Sequence, residues 1–138
     1  MQIERITSRG QLVPLIFMQD ALAASQTDVQ LPIVEETSLV VGVTMPFGGQ
    51  IVAITADLSS AGSAGSLTVG ATIAGTELAT PALSITTETA KSTFVARDTA
   101  KFAAGAVLGA EITTDASWNG TTADLAVTVW VILEIEGI

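Results

Sequence analysis

Strict alternation between two sets of side chains is the feature that most restricts the fold of this chain. A period of two places one set on a hydrophobic core and the other set on the opposite face of a β-strand. Residues 59–65, which are small and rich in glycine, join the two clearest stretches, so we predict a β-hairpin over residues 50–73. The alternating apolar sets are Val52, Ile54, Ala56 and Leu58, followed by Leu67, Val69, Ala71 and Ile73.

Further β-stretches follow at regular spacing, and turn signals separate them. Gly75 supplies the positive φ of a turn, and Asn119-Gly120 is a strong hairpin signal. Residues 20–25 could form a helical turn, but no stretch predicts a helix of ordinary length. We predict an all-β fold, an antiparallel β-sandwich of jelly-roll or Greek-key type with about seven or eight strands, and a barrel of the same strands is the alternative. The other predicted strands cover residues 38–44, 81–85, 92–97, 106–114 and 123–135.

The first thirty residues differ from the rest of the chain. They contain Arg5 and Arg9, two of the five basic residues, and an apolar cluster over residues 12–18. Pro14 interrupts this cluster, so we expect no secretory signal. We predict an extended N-terminal arm or linker over residues 1–30 and a sandwich domain over residues 31–138. Two interpretations of the arm stay open: it packs on its own domain as a first strand, or it reaches onto a neighbouring subunit or another protein.

The last predicted strand has two apolar faces. Alternate residues from Leu125 to Ile135 fill one face, while Trp130 and Ile132 make the other face too apolar to be fully solvated. Trp130 either packs on its own sheet or anchors a subunit interface, where tryptophan is favoured. The predicted partner or subunit contacts are Leu12, Leu15, Ile16, Phe17, Trp130 and Ile132.

The charge distribution excludes two classes of partner. The net charge is −9, and no lysine or arginine lies between Arg9 and Lys91. A nucleic-acid binder needs clustered basic residues to neutralise phosphates, and anionic membranes attract basic segments. We therefore expect no nucleic-acid partner and no membrane partner.

The residues of common catalytic and metal sites are also scarce. The chain has no cysteine and no histidine, which excludes the usual zinc sites and nucleophilic triads. Glu35 with Glu36, or Glu111 with Asp115, could form a carboxylate pair, but each falls in a predicted turn or at a strand end. Four aspartates, Asp57, Asp98, Asp115 and Asp124, match no calcium-ligand spacing. We expect no enzyme activity, no cofactor and no metal.

Several turn and strand motifs together resemble those of small β-sandwich virion proteins of tailed bacteriophages, notably head-decoration (cement) proteins. The resemblance covers residues 38–134 and implies a homotrimeric structural protein that sits on the outer surface of the capsid and bridges subunits of the major capsid protein. It carries over no catalytic residue. The motifs are Met45-Pro46-Phe47-Gly48-Gly49, Ile51-Val52-Ala53-Ile54, the segment 61–69, Ile73-Ala74-Gly75-Thr76, Phe102-Ala103-Ala104-Gly105 and Leu125-Ala126-Val127-Thr128-Val129.

A receptor- or carbohydrate-binding module of a phage tail or fibre is the alternative function. Such a module needs exposed aromatic side chains, and Trp118 in its predicted loop is the main candidate. Asn119-Gly120-Thr121 also matches the glycosylation acceptor pattern, although a turn explains the same residues.

Overall fold

Strands form where β-branched and aliphatic residues alternate with small or polar ones. In the computed structural model, which describes residues 11–33 and 41–134, ten strands and no helix form, so the predicted all-β class is confirmed. The count exceeds seven or eight because β2, β3 and β8 have only two or three residues. The strands are β1 (Gln11–Gln19), β2 (Val29–Gln30), β3 (Val43–Thr44), β4 (Gly49–Leu58), β5 (Leu67–Ile73), β6 (Thr76–Ile85), β7 (Ala90–Phe94), β8 (Ala100–Phe102), β9 (Val107–Thr114) and β10 (Leu125–Leu133).

The strands form two antiparallel sheets, which make the β-sandwich expected from the sequence. Sheet 1 has the order β1-β10-β4-β7, and β8 also pairs with β4. Sheet 2 has the order β2-β9-β5-β6, and β3 also pairs with β9. The inward faces of both sheets supply the core, where each fully buried large aliphatic or aromatic side chain contributes about 1.5–3 kcal/mol. The jelly-roll or Greek-key connection stays a prediction. Fully buried core residues include Phe17, Ile54, Leu67, Ile112 and Val127.

The two predicted hairpins around the glycine-rich loop and Asn119-Gly120 are wrong. β4 lies in sheet 1 and β5 in sheet 2, so residues 59–66 cross from one sheet to the other. β9 and β10 are separated in the same way, and residues 115–124 cross back. The hairpin that does form joins β5 to β6 through Ala74 and Gly75, with φ angles of 53° and 78°.

The predicted alternation holds from Ile54 to Leu58, but the first residues of β4 are out of phase with it. Ile54, Ala56 and Leu58 face the core as predicted, but Ile51 is buried where Val52 was expected. The pairing of β4 with β10 shifts by one residue at Trp130 and Val131, which marks a β-bulge. A bulge inserts one extra residue, so it exchanges the inner and outer faces beyond it.

The described part of the N-terminal arm belongs to sheet 1. β1 pairs with β10 along its whole length, so Leu15 and Phe17 point into the core. Residues 11–19 therefore pack on their own domain as a first strand, which is the first of the two interpretations of the arm. Residues 1–10 lie outside the part of the chain that the structure describes. The division between an arm and a domain at residue 30 stays a prediction. Residues 20–25 form bends with positive φ at Ala21 and Ser25, and not the helical turn that was considered.

Candidate binding face

The outward side of sheet 1, called here the outer face, brings together apolar residues from four strands. The antiparallel register places Leu12 opposite Ile132 and Pro14 opposite Trp130. Trp130 in turn lies opposite Ala53 on β4, and Ala53 lies opposite Phe94 on β7. Cross-strand neighbours on one face are close enough for their side chains to touch. The row through Trp130 therefore consists of apolar residues from β1 to β7, and Trp130 and Phe94 are its large side chains.

The outer face exposes four large hydrophobic side chains to solvent. The exposed fractions are 55% for Leu12, 51% for Ile16, 38% for Met18 and 83% for Phe94. Among the described residues, only Val41, Phe47 and Val107 are large hydrophobic side chains of comparable exposure outside this face. A contiguous apolar patch on a folded domain marks an interaction surface.

A groove of about 410 Å³ runs across the outer face near the Trp130 row. The Trp130 indole is held in place because its Nε1–H donates to Thr55 Oγ1 over 3.4 Å. Phe94 stands at the opposite side of the groove and is almost fully exposed. The volume falls in the range of pockets that accept a small ligand or a large side chain. The lining residues are Leu12, Val52, Ala53, Thr55, Ser92, Thr93, Phe94 and Trp130.

The structure divides the six predicted contact residues into two groups. Leu12 and Ile16 are exposed on the outer face, and Trp130 and Ile132 lie half-buried beside them. Leu15 and Phe17 have exposed fractions of only 9% and 0% because they face the core. A partner that docks on the folded subunit therefore has no access to Phe17. Whether the other residues contact a partner stays a prediction.

Met18 and Phe94 belong to the outer face but were absent from the predicted contacts. Met18 was recognised only as part of the apolar cluster in the N-terminal arm. Phe94 was included only as a member of the predicted strand over residues 92–97. The pairing of β7 with β4 is what carries Phe94 to the groove, and local alternation contains no information on this long-range pairing.

Strand β1, which is one edge of sheet 1 among the described residues, is poorly suited to pairing with another strand. Pro14 has no N–H to donate, and proline is tolerated in a sheet where it faces a free edge. Further along β1, the Met18 N–H already donates to the Pro32 carbonyl over 3.0 Å. These features interrupt the row of donors that an added strand would need. Contact with other proteins is therefore favoured through the face and not through this edge.

Sheet 2 carries a cluster of three carboxylates on its outward side. Oxygens of Asp28, Glu77 and Glu111 all lie within 4.8 Å of one another. The pKa of Glu111 is raised, first by burial, then by the hydrogen bond and the charge of Glu77 and by the charge of Asp28. A hydrogen bond from Gln30 opposes this rise. The cluster can share a proton or hold a cation. Among the described residues, the four aspartates considered from their spacing form no such group.

Trp118 is buried and does not provide the exposed aromatic surface that was expected of it. Its exposed fraction is 2%, and its ring lies against Gly62 and Gly120. Asn119 fastens the two crossing loops above it: its Oδ1 accepts hydrogen bonds from the N–H groups of Ser63 and Ala64 over 2.8 and 3.0 Å. The segment 115–124 thus closes one end of the sandwich.

No protein-family model matches the chain, and no curated protein shows significant similarity to it. Within residues 11–33 and 41–134, no helix has the length and apolar character needed to cross a membrane. The fold and the outer face define the class of protein, which is a small all-β sandwich with an apolar, outward-facing groove.

Proposed function

We propose that the protein is a structural subunit that adheres to other proteins through the outer face of sheet 1. In this proposal it is a decoration or cement protein on the outer surface of a tailed-phage head, where it bridges subunits of the major capsid protein. The observation that carries the proposal is the concentration of exposed apolar side chains on one face, with Leu12, Ile16 and Phe94 all more than half exposed.

Adhesion follows from the physical chemistry of this face. Removal of apolar surface from water contributes about 25 cal/mol per Å² of favourable free energy, and a complex forms where this gain exceeds the entropy lost on association. A subunit that binds only the assembled shell also stabilises that shell, because binding shifts the equilibrium toward the bound form. The role needs no catalytic group, cofactor, nucleic acid or membrane.

Two properties of the sequence support a position on the outside of a capsid. The turn and strand motifs between residues 38 and 134 resemble those of phage head-decoration proteins, which implies a homotrimer. A net charge of −9 also disfavours contact with packaged DNA, since like charges repel. Both properties fit an external location better than an internal one.

Cosedimentation with heads tests the proposal directly. Undecorated heads of the phage or prophage that encodes the chain are mixed with the purified protein, and native mass spectrometry gives its oligomeric state. We expect a trimer that binds the heads and raises the temperature at which they rupture. The double variant Ile16→Ser, Phe94→Ser should lose binding.

The matched control is Phe47→Ser, Val107→Ser, which removes two exposed hydrophobic side chains outside the outer face. This control should bind as the unchanged protein does. A monomer that binds no head would contradict the proposal, and equal losses in the two double variants would show that the outer face has no special role.

The groove favours a receptor- or carbohydrate-binding module as a second candidate function. Phe94 is exposed across the groove from Leu12, and Thr55, Ser92 and Thr93 are among the lining residues. Aromatic faces and hydroxyls are suited to sugar rings. A glycan array tests this candidate: Phe94→Ala should abolish binding and Phe47→Ala should not, whereas an array without any bound glycan removes it.

A further inference from the structure

We propose that the outer face recognises a protein segment carrying a bulky apolar side chain and, some distance along the segment, a basic side chain. This inference rests on the proposed adhesive function and specifies the chemistry of the partner. Two depressions on the same face, one apolar and one acidic, carry it.

The first depression is the groove beside Trp130. Its walls are Leu12 on one side and Phe94 on the other, and Val52 and Ala53 lie between them. The walls are mainly hydrocarbon, so an aliphatic or aromatic side chain gains most by entering. This groove supplies the position for the partner's apolar residue.

The second depression, of about 330 Å³, lies further along the same strands. Three aspartates stand among mainly apolar residues in its lining, which consists of Met18, Asp20, Asp57, Leu58, Ser59, Asp124, Leu125 and Ala126. The two ion pairs within the described ranges are Lys91 with Glu88 and Lys101 with Asp98, so they engage none of these three aspartates. Lys91 lines a neighbouring depression together with Asp57, but its ammonium pairs with Glu88 and donates to the Ser84 carbonyl. A basic side chain is the complementary group for this depression.

The distance between the two depressions follows from β10. Trp130 lines the groove and Ala126 lines the acidic depression, four residues away along one strand. At about 3.3 Å per residue, the two positions are about 13 Å apart. A partner segment that runs extended along the face matches this distance when its apolar and basic residues are also four positions apart.

Charge complementarity favours a different protein over a second copy of this chain. The chain has 14 acidic and only 5 basic residues, so a second copy brings mostly like charge to the acidic depression. Like charges placed across an interface oppose association. A partner surface with a basic residue beside an apolar one avoids this repulsion.

A displayed library of random linear peptides provides the probe. The full chain is immobilised and panned against the library in parallel with three variants. Phe94→Ser alters the groove, Asp20→Asn with Asp57→Asn and Asp124→Asn neutralises the acidic depression, and Phe47→Ser is the matched control. Asparagine retains a side-chain oxygen that can accept the Ala21 N–H, as Asp124 does over 3.1 Å. Circular dichroism and thermal midpoints establish that each variant is folded.

We expect the unchanged chain and Phe47→Ser to enrich peptides with an apolar residue and an arginine or lysine four positions away. Phe94→Ser should enrich no such motif. The triple asparagine variant should keep the apolar preference, lose the basic one, and bind a synthesised consensus peptide about three- to tenfold more weakly. Enriched peptides without a basic residue, or equal affinity for the triple variant, would overturn the inference. So would concentration-dependent self-association that the groove variant abolishes.

The panning and the head-binding experiment separate this inference from the proposed function. If the protein binds heads and selects no apolar–basic motif, the partner chemistry is wrong while the adhesive function stands. If it selects the motif but binds no head, the partner chemistry stands and the capsid role is wrong.

Discussion

Two glutamate side chains, Glu111 and Glu88, have pKa values that are shifted in opposite directions. Glu111 is buried on sheet 2 next to Glu77, and its pKa is raised. Glu88 is exposed in the turn between β6 and β7, and its pKa is lowered to about 2. A difference in pKa between folded and unfolded states makes stability depend on pH, so the two residues should give pH dependences of opposite sign.

Replacing Glu111 by glutamine should stabilise the protein at neutral pH. Because the folded pKa of Glu111 lies above its unfolded value, the protonated form contributes stability that is present below the unfolded pKa of about 4.5. That contribution is lost as the pH rises through the folded pKa, and glutamine cannot ionise. Urea unfolding should give equal stabilities for Glu111→Gln and the unchanged chain near pH 4 and a more stable variant at pH 7. The control is Glu134→Gln at an exposed position, and a variant less stable at pH 7 would contradict the assignment.

Replacing Glu88 by glutamine should destabilise the protein at neutral pH. The backbone N–H groups of Thr86, Glu88 and Thr87 hold the carboxylate and lower its pKa, with a smaller effect from Lys91. This stability is present above the unfolded pKa of 4.5 and is lost as the pH falls toward about 2. Thermal midpoints measured between pH 2 and pH 7 should converge at the acid end. Midpoints that differ equally at both ends would show that the charge of Glu88 is not the cause.

At the scale of elements, the two crossing loops close one end of the sandwich. Asn119 makes three side-chain hydrogen bonds to the other loop, including one from its Nδ2 to Ser63 Oγ over 2.8 Å. A Cβ at Gly120 would lie only 2.5 Å from the Trp118 ring, and a Cβ at Gly62 would pack tightly against the same ring at 3.2 Å. The loops therefore hold sheet 1 and sheet 2 together at this end.

Asn119→Ala should lower the free energy of unfolding by about 0.5–1.5 kcal/mol, because it removes hydrogen bonds that Ser63 and Ala64 donate at an exposed site. Denaturant unfolding measures the change, and Thr122→Ala in the same loop serves as the exposed control. A loss below about 0.5 kcal/mol, the usual range for surface substitutions, would mean that water replaces the side chain at little cost.

Sequence patterns predicted which residues face inward better than they predicted which strands pair. The alternation from Leu125 to Val131 and from Leu67 to Ala71 placed the core residues correctly, because burial of one face is a local property of a strand. The glycine-rich loop and Asn119-Gly120 were interpreted as hairpins because their composition permits tight turns. Composition does not determine whether the next strand returns to the same sheet or crosses to the other one.

The same distinction explains what was predicted of the candidate site. Trp130 and Ile132 were identified because they are apolar residues out of phase with the core face of their strand. Leu12 and Ile16 were identified as part of the apolar cluster in the arm, and both signals are local. Phe94 was missed because its place in the groove depends on the pairing of β7 with β4. Trp118 was expected to be exposed because it lies in a loop, but its packing beneath Asn119 depends on a second loop some fifty residues away in the sequence.

For the whole molecule, the two sides of sheet 1 serve different purposes. The inner side holds the subunit together, and the outer side carries exposed apolar side chains, which contact a partner in the proposed function. β1 contributes to both, since its residues alternate between the core and the outer face. Neighbouring positions on one strand therefore allow folding and adhesion to be tested separately.

Phe17→Ala should destabilise the folded subunit, whereas Ile16→Ala should weaken its binding to heads. Phe17 is fully buried, so its truncation should cost about 3–5 kcal/mol of unfolding free energy. Ile16 is 51% exposed on the outer face, so its truncation should change stability by no more than about 0.5 kcal/mol while weakening binding to heads. Urea unfolding and cosedimentation measure the two effects at a temperature where both variants are folded. The contrary result is that Ile16→Ala binds heads as the unchanged protein does, while Phe17→Ala, although folded, does not bind them. Adhesion would then depend on the core of the subunit, and the outer face would not be the binding surface.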